Sequence, residues 1–159
     1  MAQEIERKFL VVGEYKHLAH SSFHLMQGYI ASGRRTVRVR VSDNRAWLTI
    51  KGPSRNGGLS RFEWEREIDI KDAMELMQLC EGALIDKCRY LVEYEGHTFE
   101  VDEFYGDNEG LIIAEVELQS EDEEFARPAW LGMEVTGVKR YYNSHLRSYP
   151  YKDWSKTER

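Results

Sequence analysis

The stretch EIERK, residues 4–8, places Glu4, Glu6 and Lys8 at every second position of a predicted β-strand. Successive side chains of a strand point to opposite faces of the sheet, so the three charged groups share one face. Taken alone, this pattern is typical of a solvated strand face, because short charge alternations are common on outward surfaces. It becomes informative when the other strands carry the same spacing.

Charged residues two positions apart recur on most of the other predicted strands. The pairs are Arg38 and Arg40, Glu63 and Glu65, Lys87 and Arg89, Glu100 and Asp102, and Glu115 and Glu117. Each pair carries a single sign, although like charges side by side repel and a solvated surface normally mixes both signs along a strand. Lys51 ends a further strand alone, and Lys139 begins a predicted C-terminal helix. The strands are therefore sorted by the sign of their charge.

The positions between these charges are apolar on several strands. Val37, Val39 and Val41 alternate with the arginines, and apolar residues between 112 and 118 alternate with the two glutamates. Either these apolar side chains fill a barrel whose charges face solvent, or other segments cover them from outside and the charges line the lumen. Periodicity alone leaves both arrangements open. Only the second gives a reason for the sorting, because acidic strands suit divalent metal ions and basic strands suit phosphate oxygens.

Short alternating runs between turn residues predict eight strands. Their ranges are 4–8, 23–31, 36–42, 46–52, 61–70, 84–95, 97–104 and 110–120. Because most of them follow one another as hairpins, we expect an α+β fold built on an eight-stranded antiparallel β-barrel, with two or three helices outside.

Two segments have helical character. Residues 71–82 predict a helix that ends at Gly82 and packs one apolar side against the outside of the sheet. The apolar residues of that side are Ala73, Met74, Leu76, Met77 and Cys80. Residues 138–149 predict a terminal helix that ends before Pro150, and residues 120–130 predict an acidic loop with a short helical turn.

Length and composition predict a single globular domain, residues 1–159. Of the 159 residues, 42% are hydrophobic and 31% are charged, which suits a folded core and excludes a disordered chain. Without a signal-peptide pattern or an apolar run near the roughly 20 residues that cross a bilayer, we expect a cytoplasmic protein. Cys80 and Cys88 are too few for a disulfide framework, and the five histidines lack metal-site spacing.

In their order along the chain, the charged motifs resemble those of the CYTH superfamily, also called triphosphate tunnel metalloenzymes. The matching segments are EIERK (4–8), VRVR (37–40), LTIKG (48–52), FEWE (62–65), DKCR (86–89), EVD (100–102) and AEVEL (114–118). QGYI (27–30) and VKRYYNSHL (138–146) also resemble stretches of small bacterial members. The resemblance implies an eight-stranded tunnel that hydrolyses or cyclises triphosphate compounds with Mg²⁺ or Mn²⁺.

The resemblance also implies roles for individual side chains. The implied metal ligands are Glu4, Glu6, Glu115 and Glu117, together with Asp102. The implied polyphosphate clamp consists of Arg38, Arg40, Lys51, Lys87, Arg89 and Lys139, and Lys8 belongs to both catalysis and substrate binding. Four further carboxylates are implied to hold a second metal through water or to orient the attacking water: Glu63, Glu65, Glu100 and Asp102. Among them, Glu63 and Glu65 are the catalytic candidates.

We expect a divalent-metal-dependent triphosphatase that hydrolyses inorganic tripolyphosphate to phosphate and pyrophosphate. Thiamine triphosphatase, nucleoside triphosphatase and class IV adenylate cyclase share the motifs and remain alternatives. An alternative of another class is a non-catalytic polyanion-binding or RNA-binding barrel, although the paired carboxylates would repel a phosphate backbone unless a metal intervened. The expected partner is a small-molecule triphosphate, without nucleic acid or membrane, in a monomer or homodimer.

Overall fold

The computed structural model describes residues 3–159, and strands dominate it. Its strands are β1 (Gln3–Val11), β2 (Ser21–Ala31), β3 (Thr36–Ser42), β4 (Arg45–Lys51), β5 (Ser60–Ile68), β6 (Glu81–Tyr94), β7 (His97–Phe104), β8 (Ile112–Glu117) and β9 (Leu131–Glu134). The α-helices within these residues are α1 (Ile70–Met77) and α2 (Asn143–Leu146). Short 3-10 helices occupy Lys16–Leu18, Asn56–Gly58, Gly106–Asn108, Lys139–Tyr141 and Tyr151–Asp153.

Strands β1 to β8 close into an antiparallel barrel. Hydrogen-bonded neighbours follow the order β5, β4, β3, β2, β6, β7, β8, β1, and β1 also pairs with β5. Consecutive strands form hairpins from β2 to β5 and from β6 to β8, and the connection from β5 to β6 contains α1. The prediction of an eight-stranded antiparallel barrel is confirmed.

Strand β1 closes the barrel because it changes partner along its length. Residues 3–5 pair with residues 60–62 of β5, and residues 6–10 pair with β8. Farther along, Phe9 and Val11 pair with β9, the one strand within residues 3–159 that lies outside the closed ring. The first strand therefore joins both ends of the sheet.

The charged faces of the strands point into the barrel, and the alternating apolar faces point outward. Val39, Val101 and Val116 are completely buried on the outer face, whereas Arg38 and Lys87 line an internal cavity. Of the two arrangements that periodicity left open, the structure has the one with charges in the lumen. The outer faces must then be covered by other parts of the chain.

Helix α1 covers β3 and β4, where Ala73 is buried against Val39 and Ala46. The predicted packing outside the sheet is confirmed, but the predicted helix 71–82 is too long, because α1 ends at Met77. Gly82 already lies in β6 and does not end the helix. Met74, assigned to the apolar side, is 57% exposed, because it lies on the solvent side of so short a helix.

Irregular segments cover the outer face of β1, β6, β7 and β8. Tyr15 and Trp130 are buried there in one cluster with Phe9 and Phe99, and Phe125 packs against it. Phe125 contacts both phenylalanine rings edge-on, with centroids 5.9 and 6.1 Å away. The loop 120–130 contributes this cover without the predicted helical turn, since no helix is present between residues 112 and 131. Aromatic side chains on loops replace a helix on this side.

The inward faces of β2, β6, β7 and β8 become apolar toward one end of the barrel. Tyr29, Ile85, Phe104 and Ile113 are buried there in a cluster completed by Tyr141, Leu146 and Trp154 from the C-terminal segment. This cluster closes that end of the lumen by apolar packing. The charged section of the lumen lies next to it.

The C-terminal segment differs from the predicted helix 138–149. It forms a 3-10 helix, Lys139–Tyr141, followed by the single turn of α2, and Tyr142 between them is extended. The break places the Tyr141 ring beside Trp154, with centroids 5.1 Å apart. Strand β9 was not predicted, because four residues are too few to show alternation. No helix among residues 3–159 is long and apolar enough to cross a membrane.

Gly137 and Gly57 provide a matched test of how the 52–60 loop packs on the C-terminal segment. Both residues have positive φ, so alanine at either position should cost about 1 kcal/mol of stability. A Cβ at Gly137 would overlap the Gly57 carbonyl oxygen, whereas a Cβ at Gly57 would meet nothing. We expect Gly137→Ala to cost about 1–3 kcal/mol more than Gly57→Ala in urea unfolding. Equal losses would contradict the close packing.

Candidate active site

The lumen of the barrel holds a charged cavity of about 210 Å³. Nearly all the residues predicted for the site line it: Glu4, Glu6, Lys8, Arg38, Arg40, Lys51, Glu63, Glu65, Lys87, Arg89, Glu100, Glu115 and Glu117. Strand alternation brings them together, because each strand of the closed ring contributes one face. The cavity is here called the tunnel.

Asp102 and Lys139 are the two predicted site residues that do not line the tunnel. Asp102 is on the inward face of β7, directly across from Arg89, but it is only 2% exposed because it is buried against Lys87 and Arg89, with which it forms ion pairs. Lys139 is exposed at the start of its 3-10 helix. Asp102 therefore holds two tunnel cations in place, while Lys139 lies outside the tunnel lining.

Most tunnel cations are paired with carboxylates across strands. The ion pairs are Lys8–Glu115 at 2.8 Å, Lys51–Glu4 at 2.9 Å, Lys87–Asp102 at 2.7 Å, Arg89–Asp102 at 2.7 Å, Arg89–Glu100 at 3.4 Å and Arg38–Glu65 at 3.6 Å. Thr49 supports the last pair, since it accepts a hydrogen bond from Arg38 and donates one to Glu65. The strands sorted by sign neutralise one another through these contacts.

Arg40 is the exception among the predicted tunnel cations. Its Nε donates to the Gln27 amide oxygen at 3.1 Å, and within residues 3–159 no carboxylate lies within ion-pair distance of it. Burial, together with the neighbouring guanidinium groups of Arg38 and Arg89, lowers the pKa of Arg40 to about 9. The group still carries its charge at neutral pH, and an anion beside it would compensate that charge.

The carboxylates of β1, β5 and β8 lie close to one another, so on this side of the tunnel the excess charge is negative. Burial and the carboxylates of Glu115 and Glu4 raise the pKa of Glu6 well above its usual range. Burial and a hydrogen bond shared with Glu4 raise the pKa of Glu63 to about 8. Burial opposes the ionisation of Glu4, but the charge of the Lys51 ammonium and the hydrogen bonds from Glu63 and Lys51 together outweigh it and lower the pKa of Glu4 to about 2. Protons therefore relieve negative charge on this side of the tunnel.

A closed barrel of eight strands with this succession of inward charges is the architecture that the motifs predicted. A family profile described as "CYTH domain" matches residues 2–144. The chain belongs to the CYTH domain family.

Two named relatives match this CYTH chain over nearly the full length of both proteins. A protein named inorganic triphosphatase from Acetivibrio thermocellus is 49% identical over 157 residues, which cover 97% of this chain and 99% of that protein. Another inorganic triphosphatase, from Nitrosomonas europaea, is 38% identical over 148 residues, or 90% of this chain and 95% of that protein. The crystal structure of an inorganic triphosphatase matches with a TM-score of 0.66 at 35% identity, covering 92% of this chain and 95% of that one.

Membership of the CYTH family implies a divalent metal ion, and the crowded carboxylates suit one chemically. Their donors are all oxygens, which hard cations prefer. No three acidic, histidine or cysteine side chains among residues 3–159 converge closely enough to enclose an ion by themselves. Mg²⁺, however, usually binds through one or two carboxylates, with water and substrate phosphate as its other ligands. The hydrogen-bonded pair Glu6 and Glu115 fits that requirement.

Several residues of the CYTH tunnel were not identified from the sequence. They are Tyr29, Thr36, Thr49, Gly58, Arg61, Tyr142, Asn143 and Ser144. Thr49 and Arg61 share the alternation of Lys51 and Glu63, so that signal was present in the sequence. Residues 142–144 carry no strand alternation, and only the packing of the C-terminal segment places them in the tunnel.

A second cavity, of about 440 Å³, adjoins the tunnel near the β3–β4 turn. It shares Arg40, Glu65, Arg89 and Glu100 with the tunnel lining. Phe23 and Trp47 are its aromatic lining residues. This second cavity, here called the mouth cavity, is therefore less polar than the tunnel.

The raised pKa of Glu63 predicts a measurable pH effect on the metal-free protein. With a pKa of about 8 in the folded state against 4.5 for the free side chain, folded Glu63 keeps a proton that the unfolded chain has released. Raising the pH from about 5.5 to about 7 should therefore reduce the free energy of unfolding of the wild type relative to that of Glu63→Gln.

This prediction is checked by urea unfolding in EDTA at the two pH values. Glu124→Gln, a change at an exposed carboxylate outside the tunnel, serves as the control and should follow the wild type at both. A constant stability difference between the wild type and Glu63→Gln would contradict the raised pKa.

Proposed function

We propose that this protein hydrolyses inorganic tripolyphosphate to phosphate and pyrophosphate inside the tunnel. The observation that carries the proposal is a narrow cavity inside the closed barrel, whose wall combines paired cations, crowded carboxylates and two cations, Arg40 and Arg61, that have no carboxylate partner within residues 3–159. A short linear polyanion accompanied by a divalent metal ion complements both kinds of charge. The names of the two relatives support this choice of substrate.

In this proposal the cations bind and orient the phosphate chain. Arg40 is the first candidate, because its terminal guanidinium nitrogens are free to donate a fork of hydrogen bonds to phosphate oxygens. The other predicted cations of the tunnel would exchange part of their contact with carboxylates for contact with phosphate. They are Lys8, Arg38, Lys51, Lys87 and Arg89. Lys139 stays a predicted member of the clamp, although its exposed position gives that role no added support.

Glu4, Glu6, Glu115 and Glu117 are the proposed ligands of Mg²⁺ or Mn²⁺. When bound, the metal would neutralise phosphate charge and polarise a phosphoryl oxygen. Asp102 stays a predicted ligand, but its two oxygens engage Arg89 and Lys87, which supports an anchoring role for it.

Water is the proposed nucleophile: the tunnel lining within residues 3–159 includes the hydroxyl groups of Thr36, Thr49 and Ser144, but no cysteine, and no histidine that could activate a hydroxyl. Its oxygen would form a bond to a terminal phosphorus as the bridging P–O bond breaks, and the departing pyrophosphate would take the bridging oxygen. Glu65 is the better placed of the two candidates to orient this water, since Thr49 holds it at 2.6 Å. Glu63 would act only after losing its proton, because its pKa is raised to about 8. Phosphoryl transfer depends mainly on such positioning and charge neutralisation.

The mouth cavity favours a second candidate substrate class. Phe23 and Trp47 offer flat apolar surface next to Arg40, which suits the organic group of a nucleoside triphosphate or thiamine triphosphate. By contrast, Arg38 and Arg40 of the segment RRTVRVR line the tunnel, a position that supports a small anion over RNA. A cytoplasmic location and a monomeric or homodimeric state stay predictions.

The substrate class is tested by measuring phosphate and pyrophosphate release from tripolyphosphate, ATP and thiamine triphosphate. With Mg²⁺ or Mn²⁺ we expect the highest kcat/KM for tripolyphosphate, with equimolar phosphate and pyrophosphate as products. EDTA should abolish release. Glu6→Gln provides the protein control and should also lose release, because it replaces a proposed metal ligand with little change in volume. A higher kcat/KM for ATP or thiamine triphosphate would contradict the tripolyphosphate proposal and favour an organic triphosphate as the substrate.

The role of Arg40 is tested by Arg40→Ala and Arg40→Lys. Loss of a charge-assisted hydrogen bond should raise KM for tripolyphosphate about tenfold or more in Arg40→Ala. Arg40→Lys should have an intermediate KM, because it keeps the charge but loses the fork. Arg66→Ala on the exposed outer side of β5 is the control and should keep the wild-type KM. An unchanged KM in Arg40→Ala would place the guanidinium outside the binding site.

A further inference from the structure

We infer that Asn143 is a positioning residue for Lys87: its side-chain oxygen holds the Lys87 ammonium in the orientation that binds phosphate. The inference rests on the proposed function. It assigns a role to the C-terminal segment, where the sequence shows no strand alternation from which a site residue could be predicted.

The contacts of Lys87 leave little freedom to its ammonium group. Its Nζ lies 2.9 Å from the Asn143 Oδ1 and 2.7 Å from an Asp102 oxygen. The residue is 1% exposed, yet it lines the tunnel. An ammonium has three N–H donors, one of which is directed at Asn143. The contact with Asp102 is an ion pair, so donor capacity remains for a ligand in the lumen.

A buried amide fixes the orientation of Asn143 in turn. Gln27, which is completely buried, donates from Nε2 to the same Asn143 Oδ1 at 3.3 Å, while its own oxygen accepts from Arg40. Two donors that converge on one atom identify it as the side-chain oxygen, because the Asn nitrogen accepts no hydrogen bond. One polar network therefore connects Asn143 to Lys87 and, through Gln27, to Arg40.

The backbone of Asn143 is held by apolar packing at the closed end of the lumen. It is the first residue of α2, between the buried ring of Tyr141 and the completely buried Leu146. Both neighbours belong to the cluster that closes the barrel. The core of the C-terminal segment thus fixes the place from which the Asn143 oxygen reaches Lys87.

An uncharged acceptor has a functional advantage at this position. Asp102 already offers Lys87 a full negative charge, and a second carboxylate would repel a polyphosphate and weaken its attraction to the ammonium. The Asn143 amide directs the ammonium without neutralising it. Asn143→Asp should therefore keep the shape and the hydrogen bonds of the site but bind substrate less well.

The test compares KM and kcat for tripolyphosphate with the melting temperature in three variants. We expect Asn143→Ala to raise KM about tenfold, with a smaller change in kcat. Asn143→Asp should raise KM by a similar factor while melting at or above the wild-type temperature. Asn108→Ala is the matched control: this buried asparagine binds the Tyr151 backbone, so its loss should lower the melting temperature without changing KM. A wild-type KM in Asn143→Ala would overturn the inference, and a wild-type KM in Asn143→Asp would overturn the advantage of an uncharged acceptor.

A double-mutant cycle shows whether Asn143 acts through Lys87. In the Lys87→Met background, adding Asn143→Ala should change KM less than about twofold, because the group to be positioned is gone. If the two effects multiply instead, Asn143 contacts the phosphate chain itself and the inference is wrong. The proposed function fails separately, when wild-type protein with Mg²⁺ or Mn²⁺ releases no phosphate from tripolyphosphate.

Discussion

The rest of the structure depends on the neutralisation of buried charges across a closed ring of strands. Arg38 on β3 reaches Glu65 on β5, and Lys51 on β4 reaches Glu4 on β1. In both pairs a whole strand lies between the partners, which in a flat sheet would separate their backbones by about 9–10 Å. Wall curvature and the β1–β5 closure bring such side chains together. The charge pattern and the closed barrel thus require each other.

Stability must come from elsewhere, because burying ion pairs costs desolvation energy that their attraction only partly recovers. The outer face of the barrel provides it. Phe9 and Phe99 are completely buried in one cluster with Trp130, and Val39 and Ala46 are buried in another with Ala73. Burial of such side chains contributes roughly 1.5–3 kcal/mol each for the larger ones. The barrel therefore has its apolar core on the outside and at one end, which leaves the lumen available for charge.

The sequence was sufficient to predict the barrel because its strands carry two signals, alternation and turn residues. β3 and β7 have the predicted bounds, 36–42 and 97–104. The inward direction of the charges required the sorting by sign and the family resemblance, since alternation is equally consistent with either face. The length of α1 was overestimated because Cys80 continues the helical spacing after the chain has already turned toward β6.

The C-terminal part of the site was beyond sequence reasoning for a different physical reason. Tyr142 and Asn143 reach the tunnel through the packing of Tyr141 and Leu146, which involves contacts between residues far apart in the chain. No local periodicity reports such contacts. Strand alternation identified Lys87 from its own strand, whereas the acceptor that orients Lys87 lies 56 positions away.

The tunnel contains two opposite electrostatic imbalances a short distance apart. On the acidic side, Glu6 and Glu63 have raised pKa values because of burial and neighbouring carboxylates. On the basic side, Arg40 has a lowered pKa because it is buried beside other guanidinium groups. A cation alone would relieve only the first imbalance, and an anion alone only the second. Each ligand also attracts the other, so their binding must be reciprocally coupled: whatever factor the metal adds to polyphosphate affinity, polyphosphate adds to metal affinity.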